Sequence, residues 1–166
     1  MTCKFLELRL RIARPEMSFS AAHFTIFAPG LRERLHGHDY QVAFEYCPPE
    51  MKAGKVLDYR IAKSVLKKLC LELNEKTLLP RLSPFLEISE GERDVEFVFN
   101  GERFVLPRGD VHLMDLFNIT LEELSKWFAD NLRNNLLDCG ADFRSLSVCV
   151  TSSGDQSAEC LVGDGA

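Results

Sequence analysis

Between His38 and Tyr46 the chain alternates without a break. Tyr40, Val42, Phe44 and Tyr46 fall on one side of an extended backbone, and Gln41, Ala43 and Glu45 fall on the other. Successive strand side chains point to opposite faces, so this segment reads as a strand buried on one face and wet on the other, ended by Pro48-Pro49. A half-buried strand needs an apolar cover, and two amphipathic helices supply one. Ile61, Val65, Leu66, Leu69, Cys70 and Leu73 recur at helical spacing behind a capping Asp58, with Arg60, Lys63, Lys67 and Lys68 on the outer face. Thr120-Leu121-Glu122-Glu123 is a capping box, and Leu121, Leu124, Trp127, Phe128, Leu132 and Leu136 form the stripe of a second helix that stops near Gly140.

Further strands complete the plan. Phe5, Leu6, Leu8, Leu10 and Ile12 suggest a strand ending at Pro15, continued after a bend by residues 18–27. Val95 to Phe99 and Glu102 to Leu106 flank Asn100-Gly101, which tolerates the positive φ angles of a tight I′ turn and so marks a hairpin. Residues 145–151 form the expected last strand. The order β-β-α-(β-hairpin)-α-β is an α+β plan, with an antiparallel sheet carrying both helices on one face. One domain over 1–166 is expected, with an inserted hairpin region at about 83–113. Four principal strands cannot close a barrel alone, so the edges are expected to pair between copies in a homo-oligomer.

Composition narrows the function classes. The 166 residues are 46% hydrophobic with a net charge of −5, which excludes dominant disorder and argues against nucleic acid as a partner. No apolar run approaches the roughly 20 residues of a membrane helix. Six cysteines are scattered without a Cys-x-x-Cys spacing, and the opening residues alternate charged with apolar side chains where a secretory signal would be continuously apolar. Free thiols and a cytoplasmic location are the expectation.

Histidine is the scarce residue. There are four, and His23, His36 and His38 fall within one short stretch. His36 and His38 share a face of an extended backbone, Gly37 leaves room between them, and an antiparallel partner strand would set His23 opposite the pair. A lone His-x-His is more often structural. A third imidazole makes the donor set of a catalytic zinc site with an open fourth position. His112 is left over, at the exit of the hairpin.

Several motifs, in this order, resemble the 6-pyruvoyltetrahydropterin synthase and 6-carboxytetrahydropterin synthase family. They are Phe19-Ser20-Ala21-Ala22-His23, Leu35-His36-Gly37-His38-Asp39-Tyr40, Val56-Leu57-Asp58-Tyr59, Leu78-Leu79-Pro80, Asn118-Ile119-Thr120-Leu121-Glu122 and Ser157-Ala158-Glu159. The resemblance implies a tunnelling fold, in which protomers join through their sheet edges into a barrel, as a trimer or a hexamer of two trimers. It also implies Zn2+ on His23, His36 and His38 and a pterin substrate with a hydroxylated side chain.

The chain departs from that family at three roles. The usual proton-abstracting cysteine, four residues before the first His of His-Gly-His, is Arg32 here. Glu33, three residues before His36, matches a branch in which glutamate replaces the cysteine, associated with cleaving the side chain of dihydroneopterin triphosphate. The family's Asp-His pair after the first helix reads Asn74-Glu75, which leaves Glu75 as a proton donor and acceptor. The pterin-anchoring glutamate falls at Ser152, with Gln156 or Glu159 as compensating candidates, and Thr120 lies in the segment that borders the family's pterin pocket. Arg32 and Arg34 are candidates for meeting a triphosphate. Two outcomes stay open: a zinc-dependent pterin-pathway lyase using Glu33 and Glu75, or a non-catalytic or substrate-shifted member that keeps the zinc site and has lost the usual relay.

Overall fold

A computed structural model describes residues 8–48, 58–153 and 156–163. Phe5 and Leu6 of the expected opening strand, and Val56 and Leu57 of the third motif, lie outside the described residues. The chain runs β1 (Leu10–His23), β2 (Ile26–Ala28), β3 (Leu31–Arg32), β4 (His36–Cys47), α1 (Tyr59–Leu73), β5 (Lys76–Pro80), β6 (Glu87–Glu90), β7 (Asp94–Phe99), β8 (Glu102–Pro107), a 3-10 turn at Arg108–Asp110, β9 (Val111–Met114), α2 (Leu121–Asp138), β10 (Ser145–Ser152) and β11 (Ser157–Gly163). The plan is the expected α+β one.

The main sheet has six strands in the order β11-β10-β4-β1-β5-β9, two more than the four principal strands anticipated for the whole fold. It is antiparallel from β11 to β1 and is extended by the parallel pairs β1–β5 and β5–β9. Residues 145–151 are not the last strand, because β11 follows and pairs with β10 along its length. The opening ribbon is one long β1 with an irregularity between Ala13 and Ser18, where Pro15 cannot donate to a ladder. Ile26 and Phe27 leave it for a small ribbon, β2–β3, whose turn carries Gly30 at φ 77.

The alternation of β4 does what its pattern requires. Tyr40, Val42, Phe44 and Tyr46 join Met17, Phe19 and Ala21 of β1 and Leu146, Val148 and Val150 of β10 in one buried layer. Leu66, Leu69, Cys70 and Leu73 of α1 and Leu124, Phe128, Leu132 and Leu136 of α2 close over it from the same side. Each such side chain taken fully from water contributes about 1.5–3 kcal/mol, enough to hold both helices without strong intrinsic propensity. Both helix starts carry the capping residue read from sequence, and of the capping box the Thr120 half is present. Asp58 accepts from the Arg60 N–H, and the Thr120 hydroxyl accepts from the Glu123 N–H at 3.3 Å. Among the described residues, no helix is long and apolar enough to cross a membrane.

The region after β5 builds a second, three-stranded sheet, β6-β7-β8, around the expected turn, with Asn100 at φ 48 and Gly101 at φ 80. Val95, Phe97 and Phe99 point into a separate cluster with Phe24, Ile26 and Leu79. Neighbouring Leu78 and Leu79 thus enter different cores, which is the period-two rule at work on β5. The small sheet is thereby packed against the segment that follows His23.

Candidate metal centre and active site

The three histidines end up together because two strands end together. His23 is the last residue of β1 and pairs in register with His36, the first of β4, while Ala21 pairs with His38. All three rings continue the core-facing side of the sheet past its apolar layer, at the end away from Tyr46. Their ring centroids lie 4.7 to 5.4 Å apart, and one nitrogen from each falls within 4.8 Å of the others.

The outer nitrogens define the inner ones. His23 Nδ1 lies 3.1 Å from the Ile119 carbonyl and His36 Nδ1 lies 2.8 Å from the Arg34 carbonyl. A carbonyl only accepts, so each Nδ1 carries the proton and each Nε2 is left as a lone pair. His38 Nδ1 lies 3.3 Å from the Ser153 hydroxyl. The Nε2 atoms of His36 and His38 face each other at 2.9 Å, and His23 Nε2 is buried without a hydrogen-bond partner. Converging lone pairs with oriented outer nitrogens are what a cation-binding imidazole cluster requires, so these residues fit a metal ion. Burial first, then the charge of His36, lowers the His23 pKa to about 4, which keeps that ring neutral at pH 7.

Glu33 lies in the loop that joins β3 to β4. Its N–H donates to the Thr25 carbonyl at 2.9 Å, and its carboxylate accepts the Thr25 N–H at 3.0 Å. The side chain is half-buried, not a solvated member of Leu31-Arg32-Glu33-Arg34. Burial pushes its pKa up, but the Thr25 hydrogen bonds and the charges of His36 and His23 outweigh it, and the net shift is downward. Burial first, and then the same carboxylate, raises the phenol of Tyr40, whose ring centroid is 5.9 Å from that of His38 and 6.2 Å from that of His23.

Glu75 approaches from α1. The helix ends at Asn74, whose side chain accepts the Ser20 N–H at 2.9 Å while the Glu75 N–H donates to the Ser20 carbonyl at 2.7 Å. Asn74, which cannot titrate, therefore docks the helix end onto β1. Glu75 sits at φ 60, a left-handed conformation that costs a residue with a Cβ about 1–2 kcal/mol. It lines an open cleft of about 570 Å³ with Gly37, His38, Asp39, Lys76 and Ser153. A Cβ on Gly37 would meet only the Ala21 carbonyl, at 3.5 Å, so the gap beside the histidines opens to the cleft.

The expected ligand-binding positions are more dispersed. Ser152 is buried at the end of β10, opposite Tyr40, and its N–H donates to the Gln156 carbonyl. Gln156 is exposed. Thr120 follows Ile119, the residue that orients His23, and its hydroxyl is engaged in the cap of α2. None of the three lines the cleft. His112 lies on β9 opposite Leu78, outside the histidine cluster. Sequence reasoning missed Ser153, Thr25 and Asn118. Asn118 clamps Ile26 through both its N–H and its carbonyl and holds the loop that presents the Ile119 carbonyl. Only its place beside Thr120 in a motif pointed to it.

The chain and its fold are similar to known proteins. A 27% identical stretch of 125 residues, 75% of this chain and 76% of the other, is shared with a protein of Methanocaldococcus jannaschii provisionally named as a 6-carboxy-5,6,7,8-tetrahydropterin synthase. The crystal structure of 6-pyruvoyl tetrahydropterin synthase from Plasmodium vivax superposes with a TM-score of 0.86 at 26% identity, covering 96% of this chain and 99% of that one. A P. vivax variant in which a catalytic glutamate is replaced by alanine gives 0.85 at 24% identity, over 96% and 99%. The family model for 6-pyruvoyl tetrahydropterin synthase matches residues 12–161. That span includes both helices, all three clustered histidines and the carboxylates beside them, and the chain belongs to the 6-pyruvoyl tetrahydropterin synthase family.

Proposed function

We propose that the protein is a zinc-dependent pterin-pathway lyase, acting on the side chain of 7,8-dihydroneopterin triphosphate or a related dihydropterin by carbon–oxygen or carbon–carbon cleavage. The observation that carries this reading is Glu33, a half-buried carboxylate held by Thr25 and electrostatically coupled to His36 and His23. The P. vivax synthase likewise has a catalytic glutamate.

His23, His36 and His38 would hold the zinc, which when bound supplies a Lewis acid toward the side-chain oxygens of the substrate. Glu33, with its pKa lowered, is ionised at neutral pH and serves as general base toward a carbon-bound or hydroxyl proton. Glu75, on the wall of the cleft with His38, returns a proton. Ser152, Gln156 and Thr120 are assigned to the pterin ring, Ser152 offering a neutral hydroxyl where an anchoring carboxylate would be stronger. Among the described residues no strand pairs with the outer edges of β11 and β9, which supports assembly into a homo-oligomer, a trimer or hexamer, with the barrel closed between copies. Unpaired Cys47, Cys70, Cys139, Cys149 and Cys160 suit a cytoplasmic setting.

The test is turnover. Zinc-loaded protein incubated with dihydroneopterin triphosphate should give a side-chain-cleaved pterin resolved by fluorescence-detected chromatography. Stoichiometric zinc without any product overturns the reading, and binding titrations across pterins and other zinc-chelating polyols then identify a shifted ligand.

A further inference from the structure

Arg32 precedes Glu33, and in so charged a segment an arginine would ordinarily be solvated. Here its side chain is only 13% exposed. The guanidinium carbon lies 5.2 Å from the centroid of the Phe24 ring, 5.7 Å from Phe99 and 4.9 Å from Phe104. Phe24 follows His23, while Phe99 and Phe104 flank the Asn100-Gly101 turn of the small sheet. Nη2 pairs with the carboxylate of Glu102 in the same hairpin, and Nη1 donates to the Glu33 carbonyl at 2.7 Å. A planar guanidinium can stack against rings and donate in two in-plane directions at once, which an ammonium cannot.

Glu33 is thereby fixed at three points: its N–H to the Thr25 carbonyl, its carboxylate from the Thr25 N–H, and its carbonyl from Arg32. The next carbonyl, that of Arg34, orients His36. A shift of the Glu33 peptide would therefore move the carboxylate relative to the histidines.

We propose that Arg32 is a positioning residue: caged by the β7–β8 hairpin, it holds the Glu33 peptide so that the carboxylate stays against Thr25 and beside the histidines. The small sheet is then a working part of the site. This inference rests on the role of Glu33 proposed above.

The experiment compares Arg32→Ala, Arg32→Lys and Phe104→Leu with the parent protein, all zinc-loaded. Turnover of dihydroneopterin triphosphate should fall about 10- to 100-fold in kcat for Arg32→Ala, with KM little changed, and less for the other two. Amide hydrogen exchange over residues 25–33, followed by mass spectrometry, should speed up about tenfold or more in Arg32→Ala and Phe104→Leu while α1 and α2 stay protected. Unchanged exchange over 25–33 overturns the proposal, as does an unchanged kcat in a variant whose segment has loosened. If the parent protein turns over no pterin, the reaction assignment fails and the exchange measurement alone decides the role of Arg32. Should Arg32→Ala fail to fold, Phe104→Leu carries the same test from the cage side.

Discussion

The Nε2 atoms of His36 and His38 stand 2.9 Å apart, and His36 keeps its Nδ1 on the Arg34 carbonyl. With the His36 Nδ1 committed to that carbonyl, its Nε2 is the nitrogen placed to coordinate, and a cation would draw nitrogens of His38 and His23 to the same point. Adding zinc to chelator-treated protein should therefore raise its unfolding free energy, by about 2.7 kcal/mol at a hundredfold excess over Kd. His38→Ala removes one donor and should abolish most of that gain, with stoichiometry read by equilibrium dialysis. An equal gain in the variant would count against these three residues as the ligands.

Glu33→Gln keeps a carbonyl oxygen that can accept the Thr25 N–H, so the loop stays in place while the base is lost. The expected fall in kcat is about 10²- to 10⁴-fold, with zinc content unchanged. A variant as active as the parent would remove Glu33 from the chemistry.

Asn118 ties two sites together, since its side chain bonds Ile26 on both sides and holds the loop that carries the Ile119 carbonyl to His23. Asn118→Ala leaves partly buried backbone groups unpaired and should destabilise the fold by about 1–3 kcal/mol. It should also weaken zinc binding by about 10-fold or more, because an orienting partner of a ligand is disturbed. Denaturant unfolding and zinc titration of the same preparation check both effects.

The pH dependence of the chelated protein follows from His23, whose pKa falls from 6.5 to about 4 through burial first and the charge of His36 second. Between those values the unfolded chain holds a proton that the folded one does not. Stability is thus fully present above pH 6.5 and is lost as pH falls through 4, in total about 3 kcal/mol. Urea midpoints across that window should trace the loss, and His23→Leu should flatten it.

Glu75→Gly should separate stability from activity. Glycine adopts φ 60 freely, so the substitution relieves backbone strain and should stabilise the fold by up to about 1 kcal/mol even after glycine's extra chain entropy is counted. Activity should fall, because the carboxylate on the cleft wall is gone. Thermal melts set against turnover rates test the opposition, and full activity in the glycine variant would make Glu75 a bystander.

The buried layer of β4, both helix caps, the Asn100-Gly101 turn and the convergence of His23 with His36 and His38 were all legible from residue order. The local ones depend on periodicity or on residues a few positions apart: Tyr40 to Tyr46 alternate, Asp58 and Thr120 cap their own first turns, and His36 and His38 share a face because they are spaced by two, while His23 meets them through the antiparallel pairing of β1 with β4. The strands β5, β9 and β11 were not read. β5 and β9 are only five and four residues long and are held by parallel pairing with strands distant in sequence, which leaves little local signature.

Glu33 shows the division most sharply. Its offset from His36 and the family likeness named it as a candidate, yet nothing in Leu31-Arg32-Glu33-Arg34 says that it is half-buried, or that Arg32 is caged. Its hydrogen-bond partner comes from Thr25 across a small ribbon, and the cage comes from Phe99 and Phe104 some seventy positions later. Periodicity decides which face of an element is apolar. Which two faces meet, and so which polar groups lose their water, depends on packing between segments far apart in the chain, and it is that desolvation which separates a carboxylate held beside three imidazoles from one left in solvent.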